Sequence, residues 1–247
     1  MKILALIPAR GGSKRLPGKN IRILGNKPMI VWSIIVAKDI EEICDTLVST
    51  DDDVIRDISL RAGALVPWLR PAELATDEAS SVDVALHALH WYEVQKGKVD
   101  GLLLLQPTSP FRTAETIRKG IELFKTNRQA AILGVSPTHA HPMWTFKIEG
   151  DCLIPFITTN SRAARSQDLP PAYVVNGSFY LISPAELRTH KSFFGLQTIP
   201  LIMPASNETL DIDTDSDWAM AQTALIELGS NLAEKIRERA VLVEDEE

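Results

Sequence analysis

Four short apolar runs, near residues 2–7, 45–50, 99–105 and 130–135, alternate with longer segments whose apolar residues recur at helical spacing. No other feature constrains the fold as much. Strands that bury both faces read as near-continuous apolar runs, and helices between them cover a parallel sheet on its two sides. The intervening helices fit 28–38, 52–62, 80–96 and 113–126. The third carries Val82, Ala85, Leu86 and Leu89 on one face, and Thr113 is placed to cap the fourth. After Ser136 the alternation stops. Residues 137–175 are rich in proline and aromatics, and Trp144–Ile148 and Leu153–Ile157 flank Glu149-Gly150-Asp151 as a hairpin would. Strands resume at 178–182 and 198–203. A last helix runs from about Ser216 into the 230s, capped by Asp215 or Ser216, before a solvated acidic tail at 244–247. The expectation is one α/β domain over 1–247, a mostly parallel Rossmann-like sheet flanked by helices, with 137–175 as a small insertion.

The first strand runs into Pro8-Ala9-Arg10-Gly11-Gly12-Ser13-Lys14-Arg15-Leu16-Pro17-Gly18-Lys19-Asn20. Paired glycines with free backbone N–H groups, flanked by Arg10, Lys14, Arg15 and Lys19, suit a polyphosphate. The loop also leaves the first strand where open α/β sheets bind ligands. It is not a Walker A loop: Gly12 and Gly18 enclose five residues rather than four, and Asn20 stands where the metal-binding hydroxyl belongs. The dinucleotide fingerprint is absent, and Pro17 keeps Leu16 out of a helix. Lys14 and Arg15 read equally as phosphate contacts or as solvent-facing cations.

The formal charge is −6, so these cations form a local site rather than a nucleic-acid-binding field. With 45% apolar residues, the chain has ample material for a core. No apolar run has the length of a membrane span, and Met1-Lys2 leads straight into a strand, which predicts a cytoplasmic chain with no membrane partner. Cys44 and Cys152 read as reduced, unpaired thiols.

Two acidic clusters invite comparison. Asp211 and Asp213, two apart in an extended segment, point their carboxylates to one face, as Mg²⁺ requires; with Asp215 and Asp217 they also read as a helix-capping cluster. Asp51-Asp52-Asp53 follows the second strand, where Asp51 or Asp52 is a natural N-cap. His87 and His90 share a helix face, but no third ligand accompanies them, and a structural or surface role is expected.

Several segments in order resemble the CMP-N-acylneuraminate synthetase family, including its legionaminic and pseudaminic acid members. These are the first loop, Leu69-Arg70-Pro71-Ala72-Glu73-Leu74-Ala75, Leu105-Gln106-Pro107-Thr108-Ser109-Pro110, Asn176-Gly177 before a strand, and Asp211-Ile212-Asp213. The resemblance runs from Met1 to about Trp218. It implies a cytidylyltransferase that couples CTP to a nine-carbon 2-keto sugar acid for cell-surface polysaccharides, with Mg²⁺ as cofactor. It further implies that Arg10, Gly11, Gly12, Ser13, Lys19, Asn20, Arg70 and Ser81 serve the nucleotide. Gln106, Thr108, Arg165 and Asn176 would serve the sugar acid, and Asp211 and Asp213 the metal. Arg10, Lys19, Asp211 and Asp213 would be the catalytic set. Ser109 and Arg112 would support Gln106 from behind, although Arg112 reads equally as a surface salt bridge. Ser166 departs from the family's usual arginine before Gln167. In the family the insertion exchanges between protomers, so a homodimer is expected. The competing readings are the eight-carbon octulosonate synthetases, whose first loop usually lacks Gly-Gly-Ser-Lys, and a non-catalytic nucleotide-sugar binding protein.

Overall fold

The computed structural model describes residues 1–128, 130–138, 140–157, 168–204 and 207–244, with 230–244 as backbone. Strands β1 (Ile3–Pro8), β4 (Ile43–Ser49), β5 (Gly101–Leu104) and β6 (Ala131–Pro137) lie where the apolar runs predict. Helices α1 (Met29–Lys38), α2 (Asp53–Arg61), α3 (Ser81–Lys96) and α4 (Ala114–Thr126) fall between them. Two two-residue strands, β2 (Ile23–Leu24) and β3 (Lys27–Pro28), pair just before α1. Asp52 caps α2 by accepting from the N–H groups of Val54 and Ile55, Ser80 caps α3, and Thr113 caps α4.

Six strands form one sheet in the order β10-β6-β9-β5-β1-β4, with β9 spanning Tyr173–Ile182 and β10 Thr198–Ile202. All neighbours are parallel except β9, which runs antiparallel to both β5 and β6. Both sheet faces are covered. Ile3, Ala5 and Ile7 pack with α1, α2 and α4 residues, while Leu4 and Leu6 pack with Ala85, Leu89 and Tyr92 of α3. This is the period-two burial that a doubly covered strand imposes.

Two expectations need correcting. Asn176-Gly177 does not precede the strand; it lies inside β9, which starts five residues earlier than the apolar run suggested. Val135 pairs with Val175 and Leu133 with Tyr180, so two steps along β6 face five along β9. Gly177 takes φ of +77° in this bulge, the same left-handed conformation that a turn would have used. The second correction concerns α6 (Asp215–Glu244). Its cap is Thr214, which accepts from the Asp217 N–H at 3.2 Å, while the Asp217 carboxylate accepts from the Thr214 N–H at 2.8 Å. That is a reciprocal capping box, so neither Asp215 nor Ser216 is the cap.

Within 137–175, whose two ends belong to β6 and β9, a separate hairpin forms from β7 (Phe146–Glu149) and β8 (Cys152–Pro155), joined through Gly150 and Asp151. It exposes Ile148 to 74% and Phe156 to 69%. Helix α5 (Pro184–His190) follows β9. A third small core joins Leu16 of the first loop to Phe111, Ile212 and Trp218. It fastens the loop after β1 to the segment carrying Asp211 and Asp213, and so sets the geometry of the site. Both cysteines are free, as expected.

Candidate active site

The carboxyl ends of β1 and β5 open into a cleft of about 430 Å³. Arg10, Lys19, Asn20, Arg70 and Ser81 line it, as do Gln106, Thr108, Asp211 and Asp213. Beside it is a second cleft of about 370 Å³, lined by Asn176, Gly177, Ser136 and Tyr180. The two share Gln106 and Asp211. Thr108, expected on the sugar side, lines only the first cleft. Arg165, with Arg162 and Gln167, lies outside the described residues.

The four loop cations are all paired with acids. Arg10 reaches Asp77 at 2.5 Å and Lys14 bonds the other oxygen of the same carboxylate. Lys19 and Arg15 each reach Asp213 at 2.6 Å, one on each oxygen. Burial of Leu16 between Arg15 and Lys19, in one core with Ile212, explains why this pairing forms across 194 positions of sequence. The Ile212 N–H donates to the Thr108 carbonyl at 2.8 Å, which ties the acidic segment to the turn after β5. With Ile212 buried, Asp211 and Asp213 both face the cleft, as the alternation of an extended chain requires. Among the described residues, Asp211 has no ion-pair partner.

The glycines differ in purpose. A Cβ on Gly11 would come within 2.7 Å of the Asp52 Oδ2, whereas one on Gly12 would meet nothing within 4 Å. The Gly11 N–H, expected to be free for phosphate, donates instead to Asp51 at 3.0 Å. Gly11 thus lets β1's loop lie against the acidic start of α2, and neither it nor Gly12 or Ser13 lines the cleft. Asn20 is 5% exposed; its Nδ2 donates to the Arg10 carbonyl while its Oδ1 is a buried acceptor with no partner among the described residues. An unsatisfied buried acceptor lining a cleft is a place for a ligand donor.

Arg70 and Arg112 are buried guanidiniums that organise backbone. Arg70 donates to the Ser49 hydroxyl and carbonyl at the end of β4; burial pulls its pKa down to about 10, with Asp51 opposing. Arg112 is neither exposed nor in a salt bridge, contrary to one of the readings above. It donates to the Gln106 carbonyl, the Ser178 carbonyl and the Ser33 hydroxyl. Burial lowers its pKa to about 9, against the pull of Asp211 and Glu208. It therefore locks the turn after β5 against the bulge in β9, the two pieces that present Gln106 and Asn176. The Gln106 Oε1 lies 2.8 Å from where a Cβ on Gly177 would sit. The Asn176 Oδ1 accepts from Ser178 N–H and its Nδ2 donates to Ser136, which fixes its orientation.

Sequence reading missed Asp77 and Tyr180. Asp77 sits 67 positions from Arg10, and Asp77-Glu78 reads simply as the polar approach to a capped helix. Tyr180 occupies a strand whose alternation was visible but whose bulge was not. His87 stacks on Trp68 at 4.9 Å, in keeping with a structural role. Among the described residues, no group of three or more His, Cys, Asp or Glu could hold a metal. No described helix is long and apolar enough to cross a membrane.

A family model described as cytidylyltransferase matches residues 4–146. A curated relative, CMP-N,N'-diacetyllegionaminic acid synthase of Legionella pneumophila, is 39% identical over 90% of this chain and 95% of its own length. The N-acylneuraminate cytidylyltransferase of Streptococcus agalactiae serotype V is 34% identical over 88% of this chain, which spans 52% of that longer protein. Among solved structures, CMP:2-keto-3-deoxy-manno-octonic acid synthetase complexed with CTP superimposes with a TM-score of 0.66. It covers 92% of this chain and 99% of that one at 17% identity, a likeness of fold alone. With a matching family model over more than half of its length and a relative similar along nearly all of it, the chain belongs to the cytidylyltransferase family and is a nucleotidyltransferase.

Proposed function

We propose that this enzyme transfers the cytidylyl group of CTP to the anomeric hydroxyl of a nine-carbon 2-keto sugar acid. The observation that carries the reading is the meeting of a cation-lined cleft and a neutral polar cleft at Gln106 and Asp211. In that arrangement the acceptor oxygen attacks the α-phosphorus in line, the α–β phosphoanhydride bond breaks, pyrophosphate leaves and the hydroxyl proton is released. Positioning and electrostatic stabilisation carry such a reaction, with no covalent nucleophile.

The residues divide the work. Arg10 and Lys19 bear on the charge that builds on the leaving pyrophosphate, and Asn20 offers its free Oδ1 to a nucleotide donor. Gln106 and Asn176, held in place through Arg112, Ser136 and Ser178, read hydroxyls of the acceptor. Asp211 and Asp213 fit Mg²⁺: two hard oxygen donors on one side of an extended segment leave the remaining ligands to phosphate and water. When bound, the ion supplies charge neutralisation on the phosphate oxygens. The exposed apolar side chains of the β7–β8 hairpin support a homodimer, since an isolated two-stranded hairpin is marginal in water and gains by covering such a face. Light scattering at micromolar concentration checks this; a stable, active monomer removes the dimer from the reading.

The test is pyrophosphate release with Mg²⁺ and CTP against N,N'-diacetyllegionaminic, N-acetylneuraminic, pseudaminic and 3-deoxy-manno-octulosonic acids, with UTP and ATP as controls. The similarity to the legionaminic synthase along nearly the whole chain makes that acid the first to try. Release with CTP and a nine-carbon acid is the expected result. Release only with the octulosonate moves the acceptor to the eight-carbon class.

A further inference from the structure

Asp77 stands on the loop between Arg70 and α3, opposite the first loop, and lines the cation-lined cleft. Its carboxylate holds Arg10 through one oxygen and Lys14 through the other. Asp213 does the same for Lys19 and Arg15. Each carboxylate thus occupies two cations as one phosphate group would. Their prospects differ once a nucleotide arrives. Asp213 fits a metal ligand and keeps a partner of opposite charge. Asp77 has no ion-pair partner beyond Arg10 and Lys14 among the described residues, and its charge opposes any phosphate that takes those two cations.

We propose that Asp77 is a displaceable counter-ion of the phosphate site: it competes with polyphosphate for Arg10 and Lys14, and so weakens retention of the pyrophosphate product. The inference rests on the reading that CTP occupies this cleft. Its carboxyl is held below the usual carboxylate range by Lys14 and Arg10, so it stays charged throughout the neutral range and competes there continuously. Asp77 and Lys14 are exposed and Arg10 is partly so, which makes displacement of the carboxylate a modest effect rather than a lock.

Calorimetric titration of pyrophosphate, and separately of CTP, into wild-type, Asp77→Asn and Asp77→Glu protein decides the matter. Asp77→Asn should bind pyrophosphate about 3- to 10-fold more tightly than wild type at low salt, in line with two exposed ion pairs. The difference should shrink as ionic strength rises. Asp77→Glu, which retains the charge, should stay close to wild type. Equal or weaker binding by Asp77→Asn overturns the proposal, because the carboxylate would then position the two cations rather than compete for them. Matching gains in Asp77→Asn and Asp77→Glu would overturn it too, by assigning the effect to shape. Failure of wild-type protein to bind CTP, with pyrophosphate binding intact, would instead count against the nucleotide reading.

Discussion

The two clefts that meet at Gln106 and Asp211 are built on different physics. The first is a lattice of opposite charges, with four cationic side chains from the loop after β1 paired to Asp77 and Asp213 and a fifth, Arg70, from the segment after α2. Its walls are pinned from beneath by the core that contains Leu16 and Ile212. The second presents the uncharged polar groups of Asn176 and Tyr180 on a bulged strand, with Gln106 and Ser136 facing them. A charged wall accepts any polyphosphate of the right length, whereas a neutral wall selects by shape and hydrogen-bond direction. On the proposed function, catalysis and acceptor choice are assigned to different clefts, with Asp211 at the seam.

The sharpest way to break this division is Asp211→Ala. If Asp211 holds the metal as proposed, its loss should lower kcat by about 1,000-fold or more, since such ions supply several kcal/mol of transition-state stabilisation. Near-normal turnover in saturating Mg²⁺ would remove Asp211 from that role. Next comes the buttress. Ile212→Ala should cost about 2–4 kcal/mol of stability in urea unfolding, because it empties a buried position shared by the loop and the acidic segment. It should also weaken CTP binding, while a purely local cavity would leave the nucleotide KM where it was.

Asn176→Ala tests the second cleft. Its loss should raise the acceptor KM by about 10-fold, the worth of one or two buried hydrogen bonds, and leave the CTP KM within twofold. Equal effects on both substrates would mean the clefts are not separate. The smallest effect belongs to Asp217, whose carboxyl is drawn below its ordinary range by the Thr214 hydroxyl and the N–H groups of Asp213 and Thr214, against the opposing effect of burial. A depressed carboxyl contributes stability above its unfolded pKa and loses it as pH falls through the folded value. Asp217→Asn should therefore cost about 0.5–1 kcal/mol near neutrality, as capping interactions do. The gap to wild type should close as the pH falls below 4. A gap that persisted at lower pH would assign the effect to packing.

Local periodicity and turn chemistry were enough to locate β1, β4, β5, β6 and the first four helices, because apolar spacing and capping residues act over a few positions. The first loop and the Asp211–Asp213 alternation were legible for the same reason. Asn176-Gly177 was not: a glycine at positive φ serves a turn and a bulge alike, and only pairing with β6 distinguishes them. The antiparallel direction of β9 is likewise a property of its neighbours, not of its residues.

The sequence by itself determined the alternating architecture, the cation-rich loop and the acidic face that answers it, since all three depend on short-range order. Only the tertiary structure decided which acid meets which cation, that Arg112 lies buried between Gln106 and Ser178, and that two clefts share one carboxylate. Those contacts join residues as far as 194 positions apart, and their formation depends on the packing of Leu16, Ile212 and the central sheet rather than on any local preference.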